Sequence, residues 1–211
     1  GKQCAVCTSL EDLLALQPDY LVETASPAAM KELALPALKN GTSVITLSIG
    51  AFADTGFYEQ VKKTAKENGT RVYIASGATG GSDVLRTITL MGHASAKFFN
   101  EKGNYALRKS VVYDPSLELE KRIVFEGTAK EAIDVFPTGL NVSVAASLAS
   151  VGADNMQVTM QSTPGFIGDT QRVEIENGEV RAVVDVYSAT SDIAGWSVVS
   201  TLMNIVSPIV F

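Results

Sequence analysis

Histidine occurs once in this 211-residue chain, as His93, and cysteine twice, as Cys4 and Cys7. A single imidazole excludes a histidine-rich metal centre, and the C-x-x-C pair has no second Cys or His pair to complete a zinc site. The pair reads as two inert cytosolic thiols, with a redox couple as the alternative, and no metal is expected. No apolar run approaches the roughly 18 residues that span a bilayer. Lys2 is not followed by a hydrophobic stretch, so no signal peptide is visible and the expected compartment is the cytoplasm. Basic residues are scattered and outnumbered, 17 Lys plus Arg against 23 Asp plus Glu for a net charge of −6, which speaks against nucleic-acid or anionic-membrane partners. Two nucleotide signatures are also missing: no G-x-G-x-x-G follows a first strand, and there is no P-loop.

What is present is globular: 46% of residues are apolar and 19% charged. The length suits one large domain or two small ones sharing a hinge. Three short, nearly continuous β-rich runs mark the first half, Tyr20–Thr24, Ser43–Leu47 and Arg71–Ala75. Strands buried on both faces have this character. Between the first two, Ser26 caps a predicted helix with Pro27 at its first position, ending near Asn40-Gly41, and Pro36 inside it predicts a kink or break. Asp54 caps the next, which turns Phe57, Val61, Thr64 and Ala65 inward and stops at Asn68-Gly69. Strands alternating with helices at this spacing predict right-handed crossovers and a parallel sheet.

The second half reads as α+β with a mixed or antiparallel sheet. Arg122–Glu126 is a strand, Thr128–Phe136 a helix, and Leu140–Val151 a small-residue helix. Met156–Gln161, Arg172–Ile175 and Val180–Val186 are further strands, the last two joined as a hairpin at Asn177-Gly178. Trp196–Val206 closes the chain as a helix. The fold class is therefore α/β, a partial Rossmann-type parallel sheet followed by an α+β substrate or dimerisation domain. The expected boundaries are 1–82, 83–190 and a C-terminal helix with its tail over 191–211.

The segment most suggestive of chemistry is Ser76-Gly77-Ala78-Thr79-Gly80-Gly81-Ser82-Asp83, between a buried strand and a helix. It lies at the carboxyl end of a parallel sheet, where α/β folds bind ligands. Its glycines let backbone approach a ligand closely, or it is only a turn with Ser82 or Asp83 as helix cap. Pro137 and Gly139 fix another turn, after which Asn141 opens a helix either as a cap or as a carboxamide for a ligand amide. Ser48 and the Thr24–Pro27 loop add small polar groups to the same sheet edge. His93, after Met91-Gly92 at a helix end, reads as a capping or surface residue.

In order and spacing from about Leu10 onward, these segments resemble the L-aspartate dehydrogenase family. The resemblance is carried by Leu21–Pro27, Ser48–Asp54, Ser76–Asp83 and Phe125–Ala129 with Phe136-Pro137. It implies an N-terminal Rossmann domain, a C-terminal α+β substrate domain and a homodimer. It also implies oxidation of aspartate with NAD or NADP to iminoaspartate, which hydrolyses to oxaloacetate and ammonia or feeds NAD biosynthesis. The family's cofactor-contacting alanine and asparagine map to Ala78 and Asn141, and the nicotinamide is expected over Ser48, Ser76, Gly77, Ala78 and Asn141.

Three features depart from the family pattern. The family's opening strand and glycine-rich phosphate loop precede the point where this sequence starts, so a chain shortened by a strand, a helix and a second strand is expected. The family's acid/base histidine lies in an Asn-x-His-x-Ile-like strand that reads here Asp169-Thr170-Gln171-Arg172-Val173. Gln171 therefore stands where the histidine does, and a carboxamide cannot exchange a proton near neutral pH. The family's Pro-Glu-Asn-Pro-Lys-Thr-Ser loop is replaced by Ala189–Gly195, with the loss of its lysine. Two alternatives thus stand beside an aspartate dehydrogenase: a related dehydrogenase for another small acid or imine, and a non-catalytic dimeric ligand-binding descendant.

Overall fold

A computed structural model describes residues 4–136 and 139–211; Lys2 and Pro137, which enter the readings above, lie outside the described residues. After a short helix α1 (Leu10–Ala15), capped by Ser9, come β1 (Tyr20–Glu23), α2 (Pro27–Lys39), β2 (Ser43–Thr46), α3 (Thr55–Asn68), β3 (Val72–Ile74) and α4 (Ser82–Met91). The three strands form one parallel sheet in the order β1-β2-β3. Ser26 accepts from the Ala29 N–H and Asp54 from the Phe57 N–H, so both predicted caps form. Gly69 closes α3 in the left-handed conformation at φ +66°.

Two details differ from expectation. Helix α2 runs unbroken through Pro36, because only one further turn follows and Pro36 still contributes its carbonyl to the Asn40 N–H. Helix α4 is capped by Gly81 rather than by Ser82 or Asp83; Gly81 is left-handed at φ +71°, and a Cβ there would lie 2.6 Å from Val184 Cγ2. The close approach of Val184 leaves room only for glycine.

The second half comprises β4 (Ser95–Gly103), β5 (Arg122–Thr128), α5 (Ala129–Val135), α6 (Asn141–Leu148), β6 (Gln157–Thr163), β7 (Asp169–Glu176), β8 (Arg181–Ser188) and α7 (Asp192–Val206). The strands form a mixed sheet in the order β5-β6-β4-β7-β8, with β4 and β6 parallel and the other pairs antiparallel. Its central strand, β4, was not anticipated, and β7 begins three residues before the predicted Arg172. A capping box between Thr128 and Glu131 starts α5, and Gly178 at φ +89° supplies the turn between β7 and β8.

One core lies under the mixed sheet around Phe98, Met160 and Ile175, and another between α2, α3 and the parallel sheet around Met30, Leu38 and Phe52. Helix α6 belongs to both, giving Ala146 to the first and Val144 and Ala145 to the second. Its small side chains let it wedge between the halves. Helix α7 returns to the parallel sheet, where Val198 packs on Ile45 and Ala75. Among the described residues, no helix is long and apolar enough to cross a membrane.

Candidate functional site

The carboxyl ends of β1 and β2 are gathered around one buried side chain. Glu23 is 3% exposed, and its Oε1 accepts from the N–H groups of Ala25 (2.7 Å) and Ser26 (3.0 Å) and from Ser48 Oγ (2.9 Å). Its Oε2 accepts from Thr46 Oγ1 at 2.7 Å, and that hydroxyl oxygen accepts in turn from the Ser48 N–H. Four donors on one carboxylate meet most of its acceptor capacity and fix the loops that leave both strands.

Asn141 is not a helix cap. Its Oδ1 reaches across 91 residues of sequence to accept from the Gly50 N–H at 2.8 Å, while the cap position of α6 is Leu140, with no side-chain bond. A Cβ on Gly50 would stand 2.7 Å from that oxygen, so the contact needs glycine. With its oxygen committed, Asn141 has only Nδ2 to offer, and that group has no acceptor among the described residues.

Beside Asn141 opens a cavity of about 390 Å³ between the halves. Leu47, Gly77 and Ala78 line it from the parallel sheet, Asn141 from α6, and Lys102, Asp169 and Gln171 from the mixed sheet. The 188–191 stretch entering α7 closes another side. Gly77 is held by its N–H, which donates to Ser197 Oγ of α7 at 3.1 Å.

The mixed-sheet wall follows from strand register. Asn100 stands opposite Gln171, and Lys102 opposite Asp169, so the four side chains share one face. Lys102 Nζ lies 3.1 Å from Asp169 Oδ2 and also donates to the Gly139 carbonyl at 3.2 Å. Gln171 Nε2 donates to the same Asp169 oxygen at 2.9 Å, and Asn100 Nδ2 donates to Asp169 Oδ1 and, at 2.9 Å, to the Thr170 carbonyl. Asp169 is thus an anion held by one cation and two amides. Asn100 Oδ1 and Gln171 Oε1 remain buried without a donor among the described residues.

Of the residues singled out from sequence, Gly77, Ala78, Asn141 and Gln171 meet at this cavity. Ser48 and Ser76 do not line it: Ser48 is buried against Glu23, and Ser76 lines a separate groove beneath α7. His93 is exposed past the end of α4, whose C-cap is Gly92, and Cys4 and Cys7 are free thiols far from the cavity in sequence. Asn100, Lys102 and Asp169 went unrecognised. The signal was a strand whose inward positions change from apolar (Ala96, Phe98) to polar (Asn100, Lys102).

A family model described as the C-terminal region of aspartate dehydrogenase matches residues 83–205, and one described as the NAD binding domain of homoserine dehydrogenase matches residues 2–75. The L-aspartate dehydrogenase of Methanococcus maripaludis is 32% identical over 217 residues, covering 96% of this chain and 79% of its own. That of Methanosarcina mazei is 32% identical over 212 residues, with 95% and 78% covered. The crystal structure of aspartate dehydrogenase from Thermotoga maritima superposes with a TM-score of 0.78 at 31% identity, covering 92% of this chain and 78% of that one. A hyperthermophilic archaeal homoserine dehydrogenase, solved with NADPH, shares the fold alone at a TM-score of 0.59 and 13% identity over 95% of this chain and 75% of that one.

Proposed function

The chain belongs to the aspartate dehydrogenase family, and on that basis we propose that it oxidises the amino group of L-aspartate with NAD or NADP, or reduces the corresponding imine. The observation that carries the reading is the cavity in which a glycine-rich sheet edge and Asn141 face Lys102, Asp169 and Gln171 of the mixed sheet. About 390 Å³ suits a nicotinamide ring beside a small acid. Ala78 presents only a methyl group to that space, and Asn141 Nδ2 is a donor in want of an acceptor such as a carboxamide oxygen. The residues fit the cofactor. When bound, the nicotinamide supplies the hydride chemistry, and the chain orients its partners.

On this reading residues 1–82 supply the cofactor face, 83–190 the substrate face, and α7 the closure between them. Lys102 is placed to hold a substrate carboxylate, Gly77 and Ala78 to pass the ring, and Asn141 to set its rotation. Gln171 orients neighbouring groups without exchanging protons. The reading also makes the protein a cytoplasmic homodimer. The exposed apolar row Trp196, Met203 and Val206 on α7 supports a partner surface, which sedimentation would test.

Calorimetric titration with NADH and NADPH, followed by an aspartate turnover assay, tests the proposal. Saturable binding and turnover support it, and failure to bind either dinucleotide overturns it. One observation favours a second reading. Among the described residues lining the cavity, Lys102 and Asp169 are the charged ones and they pair with each other, so a dicarboxylate meets a single cation. A related dehydrogenase for a smaller acid or imine suits that balance. A panel of amino and hydroxy acids separates the two, and activity confined to aspartate rejects the second.

A further inference from the structure

We propose that Asp169 is the residue that takes the proton from the substrate nitrogen, one strand repeat away from Gln171. The inference rests on the reading above that the cavity oxidises an amine.

Gln171 cannot serve. It has no exchangeable proton near neutrality, it is 3% exposed, and its Nε2 is spent on Asp169. Asp169 is the only carboxylate among the described residues that line the cavity, and its side chain is 24% exposed. It is also the focus of the wall: the Asn100 amide, fixed by its second bond to the Thr170 carbonyl, and the Gln171 amide both donate to it. Its orientation is set before any ligand arrives. Lys102 lies against it from β4 and Ser188 is its partner position on β8, and among the described residues that line the cavity Lys102 is the one other charged side chain, with Tyr105 the one other titratable group.

In the step proposed, an N–H bond of the substrate ammonium breaks as an O–H bond forms on the Asp169 carboxylate. The nitrogen lone pair so released becomes the second bond of C=N while Cα gives up its hydride to the nicotinamide, which is reduced. The organic product is a cationic iminium ion. As Asp169 becomes neutral, the Lys102 ammonium loses its partner and is left to the substrate carboxylate.

The experiment compares wild type, Asp169→Asn, Gln171→Ala and the double variant Asp169→Asn/Gln171→His. Asp169→Asn is expected to lower kcat by about 10²–10⁴-fold, the usual contribution of a positioned acid or base. Gln171→Ala, which removes one of the two amides that orient Asp169, lowers kcat at least about tenfold less than Asp169→Asn does, and the double variant, which returns an ionisable group to the same hydrogen-bonded pair, recovers at least about tenfold over Asp169→Asn. A second readout needs no turnover. L-aspartate and L-malate are titrated calorimetrically into protein holding NADH. Asp169→Asn weakens aspartate relative to malate by at least about tenfold, as loss of a charge-assisted contact to its ammonium requires, because the freed Lys102 acts on the carboxylates of both ligands alike.

Wild-type turnover with Asp169→Asn equally active overturns this assignment and leaves the proposed function standing. A wild type that binds NADH but oxidises no amine overturns the proposed function, and an equal preference for aspartate over malate in both proteins then overturns the assignment as well. If Asp169→Asn fails to bind NADH, Asp169→Glu replaces it. A rate lowered at least about tenfold supports the role, and an unchanged rate rejects it.

Discussion

On the parallel-sheet side of the cavity the Glu23 carboxylate has four donors, while on the mixed-sheet side Asn100 Oδ1 and Gln171 Oε1 are buried with none among the described residues. Each orphaned acceptor costs about 1–3 kcal/mol relative to a satisfied one. The first side is a frame in which loops from two strands are tied to one group and kept from moving. The second tolerates unmet demand beside the carboxylate open to the cavity, whereas on the first side the buried group left without a partner among the described residues is Thr79 Oγ1, in the loop after β3 and outside the Glu23 frame. Buried polar groups left short of partners mark places where stability yields to another requirement. The contrast separates residues that hold the site from residues that act in it, although both sets are polar and buried.

Mutation can break that contrast, and the largest effect is expected at Glu23. Glu23→Ala strands the Ala25 and Ser26 N–H groups and the Thr46 and Ser48 hydroxyls. Of these the Thr46 and Ser48 hydroxyls are buried, and each left unpaired costs about 1–3 kcal/mol, so urea denaturation should show a loss of a few kcal/mol. Asp169→Asn is expected to do the opposite, losing rate while its denaturation midpoint moves little. Equal stability losses at the two sites would erase the distinction.

Asn141 joins the two sides, and its loss is next in size. Asn141→Ala leaves the Gly50 N–H without its acceptor, about 1–3 kcal/mol in stability, and removes the only side-chain amide that α6 presents to the cavity. NADH affinity should fall by about tenfold or more in the same protein. Gly50→Ala, whose Cβ would meet the Asn141 oxygen at 2.7 Å, should reproduce both effects in weaker form.

The parallel-sheet frame was the part legible in sequence. Strands β1 to β3 read as continuous apolar runs, although only β2 is covered on both faces, Tyr20 and Val22 of β1 and Ile74 of β3 being exposed, and Ser26, Asp54 and Asn68-Gly69 punctuate their helices by local chemistry. Strand β4 was not legible, although it is the centre of the mixed sheet. Its inward positions run Ala96, Phe98, Asn100, Lys102, so the period-two pattern dissolves where the site begins. Gln171 is legible only through a family motif and Asp169 beside it is not, because nothing local reveals that Asn100 and Lys102 lie opposite. Asn141 looked like a cap for the same reason: its true partner, Gly50, is 91 residues away.

The smallest expected effect belongs to Asp54, an exposed carboxylate on the same side as Glu23. Its carboxyl is held below the ordinary aspartate value, first by the Lys31 ammonium that donates to it at 2.8 Å and then by the Phe57 N–H it caps. A carboxyl depressed in the folded protein stabilises the fold at every pH above its unfolded value, near about 3.9, and loses that contribution as pH falls through the folded value. Its side chain is 49% exposed, so solvent and salt screen the pair, and the gain is about 0–1 kcal/mol. Asp54→Asn keeps the cap and removes the charge. Wild type and variant should differ slightly near neutrality in low salt and converge in acid or in about 1 M salt, where the screening length is short. Glu23 behaves otherwise, because it and its Thr46 and Ser48 donors are buried: a difference between wild type and Glu23→Ala that survives about 1 M salt, beside one at Asp54 that does not, would show that burial rather than charge makes the frame rigid.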